Sequence, residues 1–89
     1  MADSRLKPDP QVLARRMPGG TILVNLESNR IFELNETGAR VWELMSAGLE
    51  REQVVERLVE EFAVDPIRAA TEVDTLLGHL AREGLLSTS

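Results

Sequence analysis

A nucleophile needs a base, and this sequence offers one imidazole: His79 is the only histidine in 89 residues. It lies four residues from Thr75 in a helical stretch, and Ser4, Ser28, Ser46, Ser87 and Ser89 have no other base to turn to. A Ser/His triad is therefore not expected, and His79 reads as a solvated surface side chain. Glu60 with Glu61, or Glu50 with Glu52, would have to act as a carboxylate pair from helix positions that do not face each other, so they read as a solvated charged face. Pro18-Gly19-Gly20 is followed by neither a lysine nor a helix start, which excludes a phosphate loop. The absence of cysteine removes disulfides, thiolate metal sites and thiol nucleophiles, and a single histidine cannot build a multi-histidine metal site. No catalytic residue, metal or cofactor is expected. The chain reads as a binding domain rather than an enzyme.

Charge narrows the partner. The net charge is −5, but residues 1–20 carry Arg5, Lys7, Arg15 and Arg16 against Asp3 and Asp9, a local +2 that leaves −7 on the rest. A body of that sign repels nucleic acid, whose binders show a basic stripe. No apolar run approaches the ~20 residues of a membrane span and no secretion signal opens the chain, so a cytoplasmic protein that binds neither nucleic acid nor membrane is the expectation.

The elements that must present a binding surface follow from periodicity and punctuation. Lys7-Pro8-Asp9-Pro10 predicts a flexible, irregular arm over residues 1–11, ahead of a single domain over 12–89. Val12 to Met17 suits a short strand, and Pro18-Gly19-Gly20 a turn. Thr21 to Leu26 reads as a strand whose Ile22, Val24 and Leu26 share one face. Arg30 to Leu34 returns after a polar loop, with Phe32 and Leu34 inward and Ile31 and Glu33 outward.

At Asn35, a good N-cap, the period changes to that of a helix ending near Gly48. A second helix spans about Glu50 to Phe62, with Glu50 a weak cap. Asp65-Pro66 opens a third that runs to about Glu83, and Gly84 stops it so that Leu85-Leu86 can fold back onto the core. Trp42 is expected in the core. Gly78 costs a helix about 1 kcal/mol relative to alanine. With Ala70 and Ala81 it forms a furrow that serves either close packing within the fold or a partner's extended segment.

Several stretches taken in order carry a resemblance: Phe32-Glu33-Leu34-Asn35-Glu36-Thr37-Gly38-Ala39, then Val41-Trp42-Glu43-Leu44, Val64-Asp65, Val73-Asp74, and Leu80-Ala81-Arg82-Glu83-Gly84-Leu85-Leu86. With Gly48, Val54, Leu58 and Phe62 between them, these resemble the PqqD-like family, the precursor-peptide recognition elements of ribosomally made, modified natural products. The resemblance spans Asn25 to Leu86. It implies an α+β, winged helix-turn-helix-like fold: a small three-stranded antiparallel sheet followed by three helices.

The resemblance also implies a function. A non-catalytic peptide chaperone would bind the leader segment of a precursor peptide by strand addition and present it to a cognate modifying enzyme, such as a radical S-adenosylmethionine (SAM) enzyme or a leader protease and cyclase. Carried onto this chain, the peptide-binding residues would be Arg30, Ile31, Phe32 and Glu33 of the third strand, with Ile67, Ala70, Thr71, Asp74, Leu77, Gly78 and Ala81 of the third helix. The client could belong to pyrroloquinoline quinone (PQQ) biosynthesis, a lasso peptide pathway or another modification, and the chain would act as a monomer or weak dimer. The alternatives are a structural or dimerising subunit of a biosynthetic complex and a DNA-binding regulator.

Overall fold

The change of period at Asn35 marks the boundary between sheet and helices in the computed structural model, which describes residues 6–88. The elements are β1 (Leu6–Pro8), β2 (Val12–Met17), β3 (Gly20–Asn25), β4 (Arg30–Asn35), α1 (Glu36–Ser46), α2 (Arg51–Phe62), α3 (Pro66–Arg82) and β5 (Leu86–Thr88). Strands β2, β3 and β4 form an antiparallel sheet in that order, which leaves β2 and β4 as its edges. Gly20 is obligatory at its position, because a Cβ there would sit 1.9 Å from the Leu34 carbonyl oxygen. Helix α1 packs against β3 and β4 on one face of this sheet, α2 packs on α1, and α3 packs on α2. Leu23, Leu34, Val41, Trp42, Val54, Leu58, Val73 and Leu80 meet between the two layers in one core.

Caps set the helix boundaries. Asn35 Oδ1 accepts from Gly38 N–H at 2.9 Å, and Asp65 Oδ2 accepts from Ile67 and Arg68 N–H at 3.0 and 3.1 Å. Glu50 is better supported than its residue type suggests: it forms a capping box with Gln53, whose Oε1 accepts from Glu50 N–H at 2.9 Å. At the far end of α3, Gly84 takes φ +77° and its carbonyl accepts from Asn25 Nδ2 at 3.2 Å. The same buried Asn25 turns its Oδ1 to the N–H of Glu27 and Ser28, at 2.9 and 3.3 Å. One polar side chain thus joins the β3–β4 connection to the stop of α3, and among the described residues no buried side-chain donor or acceptor is left unmet.

One expectation needs correction, and two points left open by the residues are decided. Residues 6–8, read as part of an irregular arm, pair antiparallel with β5 from Leu6 opposite Thr88 to Pro8 opposite Leu86; residues 1–5 lie outside the described residues. Pro8 is tolerated because a strand end does not need every N–H. The apolar stripe of β3 faces away from the core: Thr21, Leu23 and Asn25 are buried, whereas Ile22 and Val24 are half-buried on the other face and Leu26 is exposed. Tertiary hydrogen bonding of Asn25 overrides the hydrophobic pattern there. The furrow glycine of α3 is not closely packed, since a Cβ on Gly78 would meet no atom within 4 Å.

Candidate functional site

Nothing pairs with the outer edge of β4 among the described residues. In an antiparallel strand every second residue turns its N–H and C=O to one side, so this edge presents a ladder of unmet donors and acceptors to whatever lies beside it. Beside it runs α3, and between the two opens a cleft of about 610 Å³. Its β4 wall is Phe32, Glu33, Leu34 and Asn35, its floor includes Val41, Leu58 and Val73, and its helical wall is Arg68, Glu72 and Leu76.

Chemistry differs along the cleft. Leu34, Val41, Leu58 and Val73 are buried beneath it, so the floor is apolar. Arg68 and Glu72 hold an i,i+4 ion pair at 3.2 Å on its rim. Toward the start of β4 a smaller recess of about 180 Å³ is lined by Arg30, Ile31, Phe32, His79, Glu83 and Leu85. There the His79 ring meets Phe32 edge-on, with centroids 4.9 Å apart. Glu83 reaches Arg30 Nη2 at 3.3 Å and lies 4.0 Å from His79 Nε2.

The residues expected at the site divide. Arg30, Ile31, Phe32 and Glu33 all lie on β4: Phe32 is half-buried toward the helices, and the other three are exposed. The cleft does not bring Ile67, Ala70, Thr71, Asp74, Gly78 and Ala81 to this strand, and Leu77 is taken up by the core at 7% exposure. They sit on the opposite flank of the buried stripe Ala69, Val73, Leu77 and Leu80. On that flank Asp74 accepts twice from Arg51 of α2, at 2.8 and 2.7 Å.

Arg68, Glu72, Leu76, His79 and Glu83, which face β4, escaped the sequence reading. Their signal was present as an i, i+4, i+8, i+11, i+15 series on the other side of the same stripe. A helix seen alone has two flanks, and nothing local says which one meets the strand.

Electrostatics reinforce the division. The fork of Arg51 holds the Asp74 carboxyl below the usual carboxylate range, chiefly through its hydrogen bonds, and Arg51 is raised in return. Between α1 and α2, Arg40 donates to Glu61 at 2.8 and 2.9 Å and to Glu43 at 3.0 Å. The hydrogen bonds from Arg40 lower Glu61, and Arg40 itself is raised, first by Glu61 and then by Glu43. These clamps tie helix to helix, and none bridges β4 to α3 at the larger cleft. Among the described residues no group of acids and histidines could hold a metal ion. The site's resources are main-chain hydrogen bonds, an apolar floor and rim charges of both signs, which suit an extended peptide backbone.

Comparison with known proteins points the same way. The family model of coenzyme PQQ synthesis protein D (PqqD) matches residues 20–86. No curated protein matches the chain. Among solved structures, TbiB1 in complex with the TbiA(beta) leader peptide superposes with a TM-score of 0.85 at 26% identity, over 90% of this chain and 93% of that one. Lasso peptide synthetase B1 complexed with the leader peptide superposes at 0.84 with 21% identity, over 92% of this chain and 96% of that one.

Proposed function

The chain belongs to the PqqD family, and from that membership we propose that it is a non-catalytic recognition element that binds the leader segment of a ribosomally made precursor peptide. The observation that carries this reading is the unpaired edge of β4 facing α3 across an apolar-floored cleft. A leader entering that cleft adds a fourth strand to the sheet. Its backbone supplies the affinity common to any extended peptide, and its alternate side chains point into the cleft, where their fit to Leu76, Val73 and Phe32 selects the client. Two similar solved structures hold leader peptides, and the 26% identity to one of them supports the same use of the fold here.

The binding residues in this reading are Arg30, Ile31, Phe32 and Glu33 on the strand, with Arg68, Glu72, Leu76, His79 and Glu83 on the helix. Charge at the rim acts mainly on association rate and salt dependence. Once held, the peptide is presented to a separate enzyme that modifies or cleaves it, and this chain contributes position rather than chemistry. In a winged helix-turn-helix used on DNA, α3 would be the reading helix. Here Arg68 and Arg82 are balanced by Glu72 and Asp74, so α3 carries no basic stripe with which to hold a duplex.

Calorimetric titration with the synthetic leader encoded beside this gene tests the proposal. A dissociation constant of order micromolar or tighter is expected, together with faster processing of the full precursor by the neighbouring enzyme when this chain is added. No heat with any leader from that gene neighbourhood, and no effect on processing, would sink it.

A further inference from the structure

Strand β3 turns its more polar face inward and its more apolar face out: Thr21 and Asn25 are buried beside Leu23, while Ile22 and Val24 lie on the side away from the helices. Register carries that outer face across the sheet. Leu13, Val24 and Ile31 form one row, and Arg15, Ile22 and Glu33 the next. Arg16, one residue on, reaches Glu43 of α1, which fixes Arg15 on the outer face. Leu13 is 57% exposed and Ile31 67%. Strands on either side of β3 stand about 10 Å apart, and Ile22 lies between Arg15 and Glu33 in their row. Neither has an ion-pair partner among the described residues.

The geometry points to a second copy of this chain as the occupant of that face. Two such faces stacked about a two-fold axis parallel to the strands place β2 of one copy over β4 of the other. Arg15 then faces Glu33 of the second copy, and the symmetry makes the pair twice. In the neighbouring row Leu13 meets Ile31, while Val24 and Ile22 meet their own equivalents on the axis. A two-fold axis across the strands instead sets Arg15 over Arg15 or over apolar Leu13. Only the strand-parallel axis satisfies charge and apolar rows together.

The footprint is small. Three six-residue strands span roughly 14 by 20 Å, well short of the ~800 Å² per partner of a stable complex. The dimer is therefore weak, with a dissociation constant on the order of 100 μM, and leaves the outer edge of β4 open.

Sedimentation equilibrium and pulsed-gradient NMR diffusion of the full chain, from about 10 μM to about 1 mM, test this. Mass and hydrodynamic radius are expected to rise toward the dimer across that range. Leu13→Asp should hold the chain monomeric, and Arg15→Glu should weaken association several-fold. The double variant Arg15→Glu/Glu33→Arg, which restores opposite charges across the axis, should recover it; circular dichroism confirms that each variant is folded. A chain monomeric throughout the range overturns the proposal, as does a dimer untouched by Leu13→Asp or a double variant no better than the single one. Protection of Leu13 and Ile31 only when the modifying enzyme is added would likewise overturn it in favour of a heterologous partner.

Discussion

The two flanks of α3 are built for different purposes. One is closed against α2, where Arg51 grips both oxygens of Asp74; the other stands apart from β4 and leaves a cleft of about 610 Å³ between helix and strand edge. Both flanks border the same buried stripe and both mix apolar with charged side chains. What separates them is the neighbour. A helix flank that meets another helix satisfies its groups within the fold, whereas a flank that meets an unpaired strand edge borders backbone groups with no partner in the chain. The unsatisfied flank is the one available to a ligand, and its ligand must bring backbone donors and acceptors of its own.

Substitutions can break that contrast. The largest effect is expected from Leu76→Glu, which puts a charge on the helical wall of the open cleft: leader affinity should fall about 100-fold by calorimetry, with the circular dichroism spectrum retained. Thr71→Glu, the same kind of change on the clamped side, should leave affinity within about two-fold. His79→Ala removes the edge-on contact with Phe32 and should weaken binding by about three- to ten-fold. Equal losses for Leu76→Glu and Thr71→Glu would dissolve the distinction between the flanks.

Smaller still is the effect of the clamps on stability. Asp74 and Glu61 have folded-state pKa values held below their ordinary 3.8 and 4.5 by Arg51 and Arg40. Their contribution is therefore present above those ordinary values and is lost as pH falls through the lower folded ones. Melting temperature should drop slightly between about pH 5 and pH 3, and Asp74→Asn should flatten part of that slope while leaving leader affinity at pH 7 unchanged. Both pairs are solvent-exposed, so salt should shrink the effect.

Much of this architecture is legible in the residues because local chemistry decides it. Asp65-Pro66 can hardly do anything but start a helix, Asn35 caps α1, and Gly84 takes the left-handed turn that stops α3. Legibility ends where long-range partners decide. Three residues with a proline, Leu6–Pro8, become a strand only because β5 returns beside them from the other end of the chain. The inward face of β3 is not legible either: Ile22, Val24 and Leu26 form its more apolar stripe, yet the hydrogen bonds of Asn25 to residues 27, 28 and 84 hold the opposite face down.

The candidate site shows the same limit. Its strand, Arg30 to Glu33, could be read from alternation and from the family resemblance. The helical wall could not, because choosing between the flanks of α3 requires knowing that Arg51 of α2 claims Asp74. Glu50 and Gln53 add a smaller case, in which a side chain three residues along strengthens a cap that looked weak by residue type.

The central claim is that the leader becomes a strand on β4. Amide hydrogen exchange of the isotopically labelled chain, followed residue by residue by NMR with and without saturating leader, tests it most directly. Strand addition predicts new protection at alternate residues of β4 between Arg30 and Asn35, together with shifts at Leu76 and His79, while Thr71, Asp74 and Gly78 stay as they were. Protection concentrated along Thr71, Asp74 and Gly78 with β4 unchanged would contradict the account.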